Sequence, residues 1–260
     1  MNCLFQNPVH SFSMLFPLFV HTFSSPFPFF VHSFSTLFPA GSKPLNFFCL
    51  LCHHMQIVLQ NAGKRFNRDW IFRRLNYTFS AGQSYAVTGP NGSGKSTLLQ
   101  AIGGAINIAE GSVQFMANGT AVAADEMYKH IGIAAPYLEL VEEMTAKEFL
   151  VFHQTFKPFI KGITINHILQ TVDLERAADK QIRYYSSGMK QRVKLAQAIF
   201  SDVPVILLDE PCTNLDAPGY QLYHSLINAY CGNKLVIVSS NDINEYSFCT
   251  SRINILDFKL

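Results

Sequence analysis

The sequence predicts an α/β fold built on a parallel sheet, on three observations. First, Tyr85-Ala86-Val87, Val205-Ile206-Leu207-Leu208 and Leu235-Val236-Ile237-Val238 are continuous apolar runs without polar alternation, the texture of strands buried on both faces. Second, the earliest of these strands, Gln83 to Thr88, passes at once into a glycine-rich turn and then into the apolar helical run Leu98-Leu99-Gln100-Ala101-Ile102. Third, the strand at 205–208 ends in two adjacent carboxylates, Asp209-Glu210, and open parallel sheets bind ligands at the carboxyl ends of their strands.

The turn reads Gly89-Pro90-Asn91-Gly92-Ser93-Gly94-Lys95-Ser96-Thr97, the full pattern G-x-x-x-x-G-K-[ST]. Glycines let the backbone wrap a phosphate chain with its N–H groups turned inward, at the positive end of the following helix. Lys95 is placed to reach the β- and γ-phosphates of a nucleotide, and the Ser96 hydroxyl to ligate Mg²⁺. Asp209 is the expected second metal partner, acting through water. Glu210 is the expected group that polarises the attacking water. These residues together predict a P-loop nucleotide triphosphatase core.

Between the two phosphate motifs stands Tyr185-Ser186-Ser187-Gly188-Met189-Lys190-Gln191-Arg192, and after Glu210-Pro211 comes Cys212-Thr213-Asn214-Leu215-Asp216. The first is similar to the LSGGQ-x-x-R signature of ABC transporter ATP-binding domains and the second to their D-loop. Over residues 55–260 the chain resembles that family, with motifs in its order and spacing. The resemblance implies an ABC-type fold, with a small antiparallel β subdomain and a helical subdomain inserted at about 140–190. It implies ATP and Mg²⁺ as cofactors, Phe66 stacked on adenine, and Asp216 at the nucleotide site. It also implies a head-to-tail dimer, in which the signature, Ser186, Ser187, Gly188 and Met189, meets the γ-phosphate held by a second ATP-binding subunit, identical or not.

Three departures from the family pattern bear on turnover. Aligned without gaps, the stretch I-G-Y-x-P-Q falls on Ile131-Gly132-Ile133-Ala134-Ala135-Pro136, so Pro136 takes the Q-loop glutamine position and can neither bind metal nor orient water. The strand at 235–238 runs into Ser239-Ser240-Asn241-Asp242, which puts Asn241 in the place of the switch histidine; asparagine can donate to a phosphate oxygen but carries no charge. The signature has Tyr185 for leucine and Ser187 for its first glycine. ATP binding is expected to be kept, and hydrolysis to be kept but slow.

In the helical subdomain, Thr145 and Glu148 predict a capping box opening a helix. The resemblance makes this subdomain, with the loop Tyr137 to Met144, the docking face for a transmembrane permease. Glu139, Glu142 and Glu143 in that loop fit either docking or a solvated turn. The basic cluster Lys64, Arg65, Arg68, Arg73 and Arg74 is set against a formal net charge of only +2, which gives no bulk attraction for nucleic acid; no nucleic-acid partner is expected.

Residues 1–54 need a separate reading, because Lys43 is their one charged side chain. Val9-His10-Ser11-Phe12-Ser13 returns at Val20 and again at Val31. Pro17, Pro26, Pro28 and Pro39 break any helix or membrane span through the repeat. A disordered low-complexity tail is one reading. The other is upstream DNA carrying a tandem repeat, with translation starting at Met55; the period of eleven codons favours it. Cys49-Leu50-Leu51-Cys52-His53 matches a haem-attachment spacing and is taken as coincidence in a Phe/Cys-rich stretch.

The expectation is thus an ATP-hydrolysing subunit on the cytoplasmic face of the inner (plasma) membrane, driving a separate permease. The alternative is a soluble ATP-gated switch protein with slow hydrolysis, not coupled to transport.

Overall fold

The computed structural model describes residues 55–259, and both readings of 1–54, with the C-x-x-C-H match, lie outside them. Strands β1 (Met55–Phe66), β2 (Asp69–Ser80), β4 (Glu110–Ala117) and β5 (Thr120–Ala121) form an antiparallel sheet in the order β2-β1-β4-β5. Strands β3 (Ser84–Thr88), β6 (Ile131–Ala134), β7 (Val205–Asp209), β8 (Leu235–Ser239) and β9 (Ser251–Asn254) form a second sheet, ordered β6-β7-β8-β3-β9, with every neighbouring pair parallel. The crossovers use α1 (Lys95–Ile102), α2 (Ala146–Phe156), α3 (Ile165–Thr171), α4 (Ser187–Ile199), α5 (Ala217–Tyr230) and the short α6 (Ile243–Tyr246).

The continuous apolar runs are explained by two cores sharing one sheet. Alternate residues of a strand face opposite sides. Val205 and Leu207 of β7, with Leu235 and Ile237 of β8, join the core that the antiparallel sheet and α1 complete. Ile206 and Leu208, with Val236 and Val238, face the core shared with the helices after β6. No position on β7 or β8 is left for a solvent-facing residue, so no alternation appears.

Helix α2 starts where its cap predicts: the Thr145 hydroxyl accepts from Glu148 N and the Glu148 carboxylate accepts from Thr145 N. At the helix's other end, His153 stacks on Phe159 and lies 2.9 Å from the Ser201 hydroxyl. That hydroxyl spends its hydrogen on the Gln197 carbonyl, so His153 Nε2 is the donor to it. Burial, and then the Lys157 ammonium, lower the imidazole pKa to about 4. Because the unfolded chain takes up this proton more readily, the neutral ring stabilises the fold at neutral pH, and that contribution is lost as pH falls from about 6.5 to about 4, amounting to about 2–3 kcal/mol. Melting temperature measured from pH 7.5 down to 4.5 should drop less steeply in His153→Gln than in the parent.

Candidate functional site

Three loops leave the carboxyl ends of adjacent strands. In register across the sheet stand Asp209 of β7, Ser239 of β8 and Val87 of β3. The glycine-rich loop therefore follows β3, the Asp-Glu pair closes β7, and Asn241 follows β8 between them, at the crevice where parallel sheets take ligands.

The loop's shape depends on glycine at two points. Gly89 has φ +148°, and a Cβ there would lie 2.7 Å from Ile255 Cγ2 and 2.8 Å from Ser93 Oγ. Gly94 has φ +108°, and its Cβ would collide with the Ile71 side chain. Gly94 is also the N-cap of α1, so that helix begins with no side-chain cap and no acidic residue in its first turn. Its leading N–H groups and dipole are left for an anion. Lys95, 5% exposed, folds its ammonium back onto the carbonyls of Gly89 at 2.9 Å and Pro90 at 3.3 Å.

Asp209 is 2% exposed. Burial pushes its carboxyl pKa up, and the hydroxyls of Ser96 and Ser239, with the Lys95 charge, pull it back. Its Oδ1 is buried without a hydrogen-bond partner. A buried carboxylate with an oxygen short of a well-formed hydrogen bond, beside the Ser96 hydroxyl, is a donor set suited to a hard divalent cation, and the residues present fit Mg²⁺. Glu210 lies just past the strand with φ 43°, a rare conformation for a non-glycine residue, its N–H held by the Ser239 carbonyl. It lines two cavities at once: one of about 200 Å³ with Asn91, Lys95 and Ser96, and one of about 350 Å³ with Asn241.

Asn241 Nδ2 donates to Asn91 Oδ1 at 2.8 Å, joining the loop after β8 to the glycine-rich loop. Pro136 is exposed two residues past β6, and the Lys194 ammonium from α4 bridges the carbonyls of Ala135 and Pro136. The sequence places Tyr137 only at the start of the loop after Pro136, with no role at the site. The Tyr137 phenol is bonded to the Gln100 side chain, and burial, then the nearby Asp209 charge, push its pKa up to about 12. An aromatic hydroxyl next to a position lacking its expected amide was the available signal.

The signature residues open α4. Ser186 is its N-cap, accepting from Met189 N at 3.2 Å, and Ser187 and Gly188 form the first turn. Tyr185 in place of leucine keeps an apolar body buried and adds a phenol that donates to the Ala177 carbonyl at 2.6 Å. Ser186 to Met189 face a cavity of about 820 Å³, shared with Arg176, Asn214 and Asp216. Asp216 caps α5 by accepting from Gly219 N at 2.9 Å. None of these residues lines the 200 Å³ cavity of the glycine-rich loop. Phe66 ends β1, 50% exposed, with the Lys64 ammonium 4.8 Å from its ring centre. Two other basic residues of that hairpin have local partners: Arg73 pairs with Glu110 at 2.7 Å, and Arg65 and Arg73 both lie over the Trp70 ring.

Compared with known proteins, residues 72–213 match the family model described as ABC transporter, a span from β2 through the Asp-Glu pair. The chain belongs to the ABC transporter family. It is 31% identical over 202 residues to the lipoprotein-releasing system ATP-binding protein LolD 2 of Rhodospirillum rubrum, covering 73% of this chain and 87% of that one. To YhcH of Bacillus subtilis, an uncharacterized ABC transporter ATP-binding protein, it is 30% identical over 205 residues, covering 77% of this chain but only 66% of YhcH. The solved dimeric structure of MJ0796, a bacterial ABC transporter cassette, superposes with a TM-score of 0.65 at 27% identity, over 76% of this chain and 94% of that one.

The fold is that of an ABC ATPase cassette, and the chain is an ABC transporter ATP-binding subunit. The family match ends three residues short of Asp216, so α5, β8 and Asn241 lie beyond it. Among the described residues no helix is long and apolar enough to cross a membrane.

Proposed function

We propose that the chain hydrolyses ATP as the motor of a transporter, dimerising head to tail around two nucleotides and driving a separate transmembrane permease from the cytoplasmic face of the inner (plasma) membrane. One observation carries this reading: the signature and the glycine-rich loop line different cavities with no residue in common. In this reading a nucleotide seated on Lys95 meets the signature of a second subunit.

In this scheme the N–H groups of residues 89–97 and the Lys95 ammonium hold the phosphates, and Phe66 carries the base. Ser96 and Asp209 would hold Mg²⁺, which supplies charge neutralisation on the phosphates. Glu210 takes the proton of the attacking water. The Ser186 hydroxyl and the first N–H groups of the partner's copy of α4 receive the γ-phosphate by the same dipole logic as α1. An exposed apolar stripe on α2, Val151, Phe152 and Phe156, supports a protein surface covering the helical subdomain.

Turnover is slow in this proposal, because Asn241 donates where a histidine would add charge. Asn241→Ala should lower ATP turnover about tenfold, the worth of one neutral hydrogen bond in the transition state. Asn241→His should raise it. Unchanged turnover in Asn241→Ala would remove Asn241 from the mechanism.

The transporter reading is tested by capturing tagged Glu210→Gln protein, with ATP, from detergent-solubilised membranes of the source cell. Stoichiometric recovery of a multi-span protein is expected. A dimer with no membrane protein attached would overturn this reading in favour of a soluble ATP-gated switch.

A further inference from the structure

Glu245 belongs to none of the family motifs matched above, yet it is the most enclosed carboxylate near Glu210 after Asp209. It lies on α6 and is 4% exposed. Its Oε1 accepts the main-chain N–H of Cys212 at 2.8 Å, two residues beyond Glu210, and its carboxylate is also bonded to the Ser240 side chain. Burial pushes its pKa up, and these two hydrogen bonds pull it back. The same short helix is tied down elsewhere: Tyr223 of α5 donates to the Glu245 carbonyl at 2.8 Å, and Tyr220 donates to Asp242 Oδ2 at 2.9 Å. Glu210, Cys212, Ser240, Asn241 and Glu245 all line the 350 Å³ cavity.

A carboxylate costs several kcal/mol to bury, so one retained without a cationic partner is held by what its oxygens bond. Here one carboxylate holds both sides of the reacting site, the main chain two residues after Glu210 and the side chain of the residue before Asn241. Glu210 itself has a left-handed backbone that its neighbours must enforce. We infer that Glu245 is a positioning residue for hydrolysis, clamping the Glu210–Cys212 segment to the Asn241 loop so that both side chains address one γ-phosphate. It touches no substrate and acts through Glu210 and Asn241.

The inference rests on the proposed ATPase reading, and the test separates the two. Glu245→Met keeps the volume and removes both acceptor oxygens, whereas Glu245→Gln keeps one carbonyl acceptor for Cys212 N–H. In the purified full chain, kcat for ATP should fall about tenfold or more in Glu245→Met, with KM within about threefold of the parent, and Glu245→Gln should restore kcat to within about threefold. Hydrogen exchange at the Cys212 amide should quicken about tenfold in Glu245→Met only. A Glu245→Met protein with parental kcat and parental Cys212 exchange would overturn the inference, as would loss of kcat that Gln does not rescue. If Glu245→Met fails to fold, Glu245→Asp, shorter by one methylene, carries the same expectations. A parent chain without ATPase activity would instead sink the hydrolysis reading, leaving the exchange measurement to decide the clamp.

Discussion

Glu210→Gln is expected to lower ATP turnover by about 10²–10⁴-fold while leaving ATP affinity within about threefold. The size follows from where the side chain stands. Glu210 is a residue of both the glycine-rich-loop cavity and the Asn241-side cavity, and in the proposed mechanism its carboxylate serves the water that attacks the γ-phosphate. Glutamine has the same shape and can still hold that water by a hydrogen bond, but it cannot take the water's proton. Affinity is expected to survive because the groups proposed to grip phosphate are elsewhere, on the glycine-rich loop and α1. Two measurements check it: single-turnover hydrolysis and equilibrium binding of ATP. If the variant kept more than about a tenth of parental turnover with normal binding, proton removal would belong to another group.

The shape of the glycine-rich turn was legible in the sequence because it is local. Gly89, Gly94, Lys95 and Ser96 lie in one turn and the first residues of one helix, so composition and spacing fix their geometry. The parallel sheet was legible for a similar reason: runs such as Val205 to Leu208 have a core on each face, and lack of alternation records that. The Thr145 capping box is likewise contained within four residues.

What stayed hidden is what the tertiary fold assembles. Glu245 meets Cys212 across 33 positions and Asn241 meets Asn91 across 150, and nothing in either local sequence announces its partner. Tyr137 belongs to no motif, and it is the fold that turns its side chain toward Gln100 and Asp209. The Tyr185 phenol shows the same limit. As a change in a signature motif it reads as a defect, whereas its hydrogen bond to Ala177 makes it a tie between the signature and the turn before it.

Lys95→Ala is expected to weaken ATP binding by about 100-fold or more, close to 3 kcal/mol. The ammonium is 5% exposed and sits at the first residue of α1, where the helix dipole repels a cation. The carbonyls of Gly89 and Pro90 and the charge of nearby Asp209 hold it there. A phosphate chain would replace two neutral acceptors with charged ones in a site largely closed to water, where charge-assisted hydrogen bonds are about twice as strong. Stability should move in a different way. The alanine variant loses two hydrogen bonds but also relieves a positive charge from a helix N-terminus, so its melting temperature without ATP should stay within about 5 °C of the parent. With saturating ATP the parent should gain stability by mass action, and the variant should gain almost none. Lys95→Arg is no rescue, because the planar guanidinium is too broad for the socket between Gly89 and Pro90. Thermal melts with and without ATP, beside a binding titration, check all of this. An ATP-dependent shift retained in Lys95→Ala would mean that the backbone N–H groups and the α1 dipole hold the nucleotide without the lysine.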